Sequence, residues 1–434
     1  MPAFVVVIMC ATPAALDEFG GWTALQGHAT GFFHTEQIEG QWWLVDPVGN
    51  VFFSLGVNAV TFEADVIQGT NRIPYAEACL AKYGSREAWT AAALANLREL
   101  GFNTLGSWSG SYTFEQGMPY TIILNIAARA GANWQHGRAA DLFSPSLDQA
   151  AEKAAAEICA PRRDSQLLIG YFLDNELHWG PDWRAPTTLL EEYLMLPPDA
   201  PGRKAALDFL RARHATVEDF SAAWGLSIAE WAALDDVKFA GGNRTPQAWQ
   251  DSLGFLRLAA RRYFEVCNAA IRHHDPNHLI LGCREANGFA AEPIAASARG
   301  LVDVFSLSYY VPEAYEPPLR KLHEASGAPI LISEWAFRAR DSGLPNTKGA
   351  GPLVDTQADR GDKYREYLTA LLRMPFVVGA HWFKYADEPA EGRFDGENSN
   401  YGLVNIRDEP YTEFINVVRE TNLRAYAIRR GESK

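Results

Sequence analysis

Cysteine is scarce in this chain. Five cysteines are scattered through 434 residues, at positions 10, 79, 159, 267 and 283, an odd number with no CxxC pair. That excludes a disulfide framework and a thiolate zinc site. Basic charge is also in short supply. Lys and Arg number 39 against 53 Asp and Glu, a formal net charge of −14. Such a surface has no basic stripe to neutralise phosphates, so nucleic acid is excluded as a partner. Long apolar runs are missing too, and no stretch is long enough to span a membrane. The ten histidines show no HExxH spacing, and the neighbours His273 and His274 would point in different directions on a helix. Neither a metal nor another cofactor is therefore expected. The N-terminal MPAFVVVIMCATPAA is apolar but has no Lys or Arg ahead of its short run. It reads either as a weak or truncated leader or as an ordinary first strand, which leaves localisation open. No residue pattern speaks to oligomeric state.

Aromatic residues, by contrast, are plentiful: 12% of the chain, with 13 Trp. Tryptophan fills cores, and it also stacks on the apolar faces of sugar rings. One stretch organises the rest. Leu167–Gly180, LLIGYFLDNELHWG, begins as an apolar run and ends in Asp174-Asn175-Glu176. An apolar run bounded by polar residues suits a strand buried on both faces, as in a parallel sheet. Side chains at its C-terminal end stop packing and point into a cleft. Pro329–Phe337, PILISEWAF, repeats the design and ends at Glu334 followed by Trp335.

The chain between these strands alternates strand and helix. QWWLVD and VFFSLG, joined by Pro47-Val48-Gly49-Asn50, form an N-terminal β-hairpin within 32–55. From Val51 onward eight strands can be counted, ending near Asn58, Trp108, Asn125, Glu176, Arg284, Tyr310, Glu334 and Trp382. Helical spacing covers 85–100, with Gly101 placed as its cap, and 148–160, 253–274, 317–326, 357–372 and 410–425. The proline-rich segment 181–251, with helical pieces such as 205–214, reads as a large loop insertion after strand four, packed beside the site. The expectation is an α/β protein, a (β/α)8 TIM barrel, with residues 1–50 as N-terminal extension and hairpin and 51–434 as the barrel. Polar or aromatic residues at nearly every strand end are hard to obtain from packing alone. They are what a barrel rim looks like when it carries a site.

Two glutamates across a barrel mouth suggest a general acid and a nucleophile. Glycoside hydrolysis needs this pair: one carboxylic acid protonates the leaving oxygen while the other attacks an oxocarbenium-like anomeric carbon. The acid must stay protonated near neutral pH, helped by burial and by its partner's charge; the nucleophile must stay ionised, helped by a Tyr hydroxyl or Arg284.

Asn175-Glu176 after the fourth strand and Glu334 after the seventh resemble glycoside hydrolase clan A, a set of retaining (β/α)8 enzymes. Within it the chain most resembles the family 50 β-agarases. The matching pieces are QWWLVDPVGNVFFSLGVN, GFNTLGSW, GYFLDNELHWG, DPNHLILGCR, ISEWAF and HWFKYADEPAEGRFDGENSNYGLVN. FLRARHATVEDFSAAWG also resembles family 42 β-galactosidases. The resemblance runs from about Gln41 to the C-terminus. It implies Glu176 as acid/base and Glu334 as nucleophile. Asn175 would bond the sugar 2-hydroxyl in the −1 subsite, Tyr310 (or Tyr309, one register step away) would donate to Glu334, and Trp382 would form the platform under the −1 sugar. Arg284, His178, Trp179, Asn58, Trp108 and the loop residue Glu397 are further candidates for the cleft. The substrate implied is an oligosaccharide or polysaccharide with β-linked galactosides of the agarose type. The alternatives are a β-glycosidase or β-glucanase acting on another β-linked glycan, and a non-catalytic carbohydrate-binding barrel, which the loss of either glutamate would favour.

Overall fold

The computed structural model describes residues 15–286, 288 and 290–432. The apolar N-terminal stretch discussed above, Cys10 included, lies outside them but for its last residue. Four strands come first: β1 (Trp22–Gln26), β2 (His34–Ile38), β3 (Gln41–Val45) and β4 (Asn50–Phe52). They form one antiparallel sheet in the order β1-β4-β3-β2. The β3–β4 turn is built by Asp46, whose Oδ1 accepts the backbone N–H groups of Val48 and Asn50, both at 3.0 Å. Gly49 supplies the left-handed residue the turn needs, at φ +98°. The hairpin is thus the inner pair of a wider sheet, and its second run breaks after β4 to enter a different one.

That second sheet contains β5 (Ser54–Val57), β6 (Thr104–Leu105), β7 (Tyr120–Ile123), β8 (Leu168–Phe172), β9 (Leu279–Ile280), β10 (Phe305–Ser308) and β11 (Ile330–Trp335). A small pair, β12 (Arg338–Ala339) and β13 (Leu353–Val354), precedes its last member, β14 (Val377–Trp382). The eight strands pair in parallel in the order β10-β11-β14-β5-β6-β7-β8-β9. The two edges meet: an isolated parallel bridge joins Glu285 to Leu307, and the Asp303 N–H reaches the Ile280 carbonyl at 2.9 Å. The sheet is curled on itself, barrel-like.

Parallel neighbours need crossovers, and helices supply most of them. Helix Arg86–Glu99 starts after Ser85, whose hydroxyl accepts the Ala88 N–H at 3.1 Å, and is closed by Gly101 at φ +76°. Helix Pro246–His274 begins earlier than its apolar spacing suggests, because Thr245 caps it and Pro246 takes the first turn. The β6-to-β7 crossover carries only a 3₁₀ turn, Ser111–Thr113.

Two apolar layers result. One lies between strands and helices. The other fills the barrel interior, where Phe172, Leu331 and Val378 meet Phe33, Leu44 and Phe52 of the antiparallel sheet. The N-terminal sheet therefore plugs the end of the barrel opposite the strand C-termini. The segment 181–251 is more helical than a loop insertion: Leu189–Leu194, Pro201–Arg213 (the helical piece expected at 205–214) and Val217–Trp224 pack on Pro246–His274. Buried Asp251 pins the last two of the three: Arg213, His214 and Trp224 all reach its carboxylate, at 2.7, 2.8 and 2.8 Å. The prolines that suggested a loop instead start or separate short helices.

Candidate active site

The C-terminal ends of the strands open into a cleft of about 1440 Å³ whose lining includes Asn175, Glu176 and Glu334. Local backbone irregularity aims both glutamates. In β11 the pairing register shifts between Ile332 and Trp335 and again opposite Ser308. The bulge turns Glu334 into the cleft while Trp335 packs outward, stacked on Tyr367 with ring centroids 4.8 Å apart. After β8, Asp174 turns away. It accepts the N–H groups of Ala127 and Ala128, at 2.8 and 3.2 Å, and the Tyr263 hydroxyl at 2.7 Å. This anchor lets Asn175 and Glu176 face the opening, with Glu176 in the left-handed region at φ +46°.

The two carboxylates sit in different surroundings. Burial, and then the charge of Glu334, push the Glu176 carboxyl up to about 7, against the opposing pull of a hydrogen bond from Trp134. The Trp134 indole N–H donates to Glu176 Oε2 at 3.1 Å. Glu176 can therefore hold a proton at neutral pH and release it. Both Glu334 oxygens are occupied by donors: Tyr310 O–H at 2.6 Å on Oε2, and the Arg284 guanidinium on Oε1. Burial and the Glu334 charge hold the Tyr310 phenol well above its usual range, so it stays a donor. Tyr309 lines the cleft wall and meets Glu334 through the backbone, its N–H donating to the Glu334 carbonyl at 2.8 Å, while the phenol on the carboxylate is that of Tyr310; the Tyr309 carbonyl accepts the Tyr367 hydroxyl at 2.6 Å.

Arg284 is fully buried and lies behind the carboxylates. Besides Glu334 it donates to Asn175 Oδ1 at 2.9 Å and to Ser107 Oγ at 2.7 Å, and its guanidinium sits 4.5 Å above the Trp108 ring. One side chain thus ties the ends of β6, β8 and β11 together. Trp108 lines the cleft and is 38% exposed. His178 also borders the cleft but is a brace. Its ring nitrogens lie 3.2 Å from Asp182 and 2.8 Å from Glu192. Burial would lower its basicity, yet these carboxylates lift it to about 9. Glu397 lines the cleft, pairs with Arg393 at 2.7 Å, and has its carboxyl pushed up to about 7 by burial.

Three expected cleft residues point elsewhere. His381 takes the barrel interior, 2.8 Å from the Ser54 hydroxyl, so Trp382, one residue on, faces the helices. Trp382 is fully buried, donates to the Tyr401 carbonyl at 2.9 Å and packs on Trp335 and Phe414. The ring at the cleft is its successor Phe383, edge-on to Tyr310 at 6.3 Å and to Tyr401 at 5.1 Å. Trp179 is core, edge-on to Tyr263 at 5.6 Å. Asn58 is a strand tie: its amide donates to the Ser333 carbonyl at 2.9 Å and the Trp382 carbonyl at 3.3 Å. His273 and His274 do not diverge as expected. Placed at a helix end, both approach Glu152 Oε1, at 3.8 and 2.7 Å, and none of the three lines the cleft.

Sequence reasoning missed Trp134, Trp183, Arg184, Phe383 and Phe394, all at the cleft. None ends a strand. The available signal was a Trp or Phe set among Gly, Asn, Asp and Arg, as in GANWQHGR (131–138) and GRFDG (392–396).

No family model matches the chain. Among curated proteins it is similar to "Beta-agarase B" of Vibrio sp. (strain JT0107), 27% identical across 95% of this chain and 50% of that protein. It is similar also to "Beta-agarase A" of the same organism, 28% identical across 90% of this chain and 45% of that one. The chain thus spans about half the length of the curated relatives it matches. Among solved structures it superposes on an exo-beta-agarase with a TM-score of 0.83 at 25% identity, covering 96% of this chain and 68% of that one. The agarase AgWH50C gives 0.81 at 25% identity over the same shares. BpGH50, at 21% identity and a TM-score of 0.76 over 96% and 87%, shares the fold.

Proposed function

We propose that this chain is a retaining glycoside hydrolase that cleaves β-linked galactosides of the agarose type, on a (β/α)8 barrel formed by residues 51–434. Glu176 serves as acid/base and Glu334 as nucleophile. The observation that carries the proposal is the contrast between the two carboxyls: Glu176 protonated up to about neutral pH, Glu334 held by a phenol and a guanidinium. The similarity to beta-agarases supports the substrate class. In the first step Glu334 attacks the anomeric carbon, and the Glu176 proton passes to the departing glycosidic oxygen. In the second, Glu176 takes a proton from water, which breaks the glycosyl–Glu334 ester and returns the sugar with its configuration kept. Asn175, fixed by Arg284, is placed to bond the 2-hydroxyl of the sugar being transferred.

The test is incubation with agaro-, galacto- and β-gluco-oligosaccharides, with products followed by NMR from the first turnover. The expected outcome is cleavage of the galactoside series with the β-anomer appearing first. Cleavage of the gluco-series alone would overturn the substrate class, and first appearance of the α-anomer would overturn the retaining mechanism.

The Glu176 value fixes one limb of the pH profile. The acid must be protonated to act, so kcat/KM should fall about tenfold per pH unit above about 7. The Trp134 N–H favours the ionised carboxylate. Trp134→Phe removes it, so the alkaline limb should move to higher pH while peak activity drops. A limb that stays in place would mean that Trp134 does not hold the acid.

A further inference from the structure

Among the described residues the two most exposed large hydrophobic side chains are Trp183, at 62%, and Phe394, at 57%, and both line the cleft. The same device presents each ring. In Asp182-Trp183-Arg184, the Arg184 guanidinium bonds Asp182 Oδ2 through Nη2 at 2.6 Å and Nε at 3.1 Å. In Arg393-Phe394-Asp395 the order is reversed, and the guanidinium reaches both Asp395 oxygens at 3.0 Å. The charged pairs are buried, with side chains 4% and 3% exposed in the first and 13% and 8% in the second. Each guanidinium covers one face of the intervening ring, at 4.4 Å for Trp183 and 5.3 Å for Phe394. An ion clasp closing over two residues fixes a short loop and leaves the other ring face to the cleft. Arginine suits this, since its planar fork bonds a carboxylate while its face stacks on a ring.

The clasps flank different carboxylates. Arg184 also donates to the carbonyls of Glu176 and Trp134, at 2.8 and 3.3 Å, which sets Trp183 beside the acid. Arg393 also lies over Phe383, whose ring meets Tyr310, the donor to Glu334, which sets Phe394 on the Glu334 side of the cleft. Resting on the glycosidase reading, we propose that Trp183 and Phe394 are sugar-stacking platforms on the leaving-group and glycone sides of the scissile bond. The favoured ligand is then a β-linked galactan oligosaccharide long enough to reach both rings, rather than a short galactoside.

The test compares kcat/KM for agarohexaose with kcat/KM for an aryl β-galactoside. Trp183→Ala and Phe394→Ala should each lower that ratio about tenfold, and the double variant about a hundredfold, because the sites are independent. Trp183→Phe and Phe394→Trp keep a ring and should restore most of the ratio. A ratio unchanged in the double variant would overturn the platforms. Calorimetry of agarohexaose binding to Glu176→Gln, with and without the rings, separates this proposal from the one beneath it. Hydrolysis of neither probe by the wild type would overturn the glycosidase reading, whereas equal affinity with and without the rings would overturn the platforms alone.

Discussion

Glu334→Gln is expected to lower kcat by about four orders of magnitude on every substrate the wild-type protein cleaves, because an amide cannot form the glycosyl ester. Glu176→Gln should behave differently. It should cost about 10²- to 10⁴-fold on oligosaccharides, whose leaving oxygen needs a proton, and much less on an aryl galactoside with an acidic phenol. Equal losses on both substrates in both variants would overturn the assignment of roles. Stability should split the pair as well. Breaking a buried ion pair costs about 3–5 kcal/mol when the remaining charge is left alone. Glu334→Gln should cost less, because Arg284 keeps Asn175, Ser107 and the Trp108 ring. Glu176 has the opposite effect. Its carboxyl rises from 4.5 to about 7 on folding, so the folded state binds more protons across that window. The stability it contributes is complete below 4.5 and is lost as pH rises through about 7. Glu176→Gln removes that loss, so its melting temperature should fall less between pH 5 and pH 8 than the wild type's. Thermal melts at the two pH values check this and separate lost chemistry from lost structure.

Arg284→Met should be nearly as severe, though Arg284 does not touch the cleft surface. The substitution removes the donor from three acceptors at once, on buried Glu334 and Ser107 and on half-buried Asn175. We expect a stability loss of about 3–5 kcal/mol and, in the fraction that folds, a fall in kcat of about a hundredfold or more. Arg284→Lys keeps the charge but reaches one partner instead of three, so it should recover stability better than kcat. Measured as kcat against KM, the loss should sit in kcat, because the positioned groups act on the transition state. Wild-type kcat in a folded Arg284→Met protein would reduce Arg284 to a packing residue.

The parts of this architecture that were legible share one cause. Strands buried on both faces write themselves as apolar runs, and the runs ending at Glu176 and Glu334 stop where side chains meet the opening. What a run does not write is the direction of its last side chain. Trp382 and Phe383 are neighbours on a period-two element, and only the interior position of His381 decides which of them faces the cleft. At β11 a bulge sets the direction, and neither Ser333 nor Trp335 announces one. Asn58 and Trp179 sit where a site residue could sit, yet a carbonyl and a core ring claim them. Trp134, Trp183 and Phe394 were illegible for another reason. They lie on loops, where no periodicity exists, and only their ion partners give them a fixed place. In 181–251 a helical piece was legible at 205–214, but the full set of helices was obscured by prolines that start helices as readily as they interrupt them.

The strand ends also carry a cost. Just past β5, β6, β7, β8 and β9, in consecutive sheet order, Ala59, Trp108, Asn125, Glu176 and Arg284 all adopt left-handed backbone, with φ between +46° and +61°. None is glycine, and each such residue costs on the order of 1 kcal/mol. Five of the eight strand ends are therefore wound against their preferred conformation, and the far end, packed on the N-terminal sheet, must supply cohesion that offsets it. Glycine at Ala59 would relax one of these positions without removing a functional side chain, whereas the same exchange at Glu176 or Arg284 would trade function for relief. Selection for heat resistance in this molecule should accordingly accumulate changes at the plugged end and leave the five wound strand ends as they are.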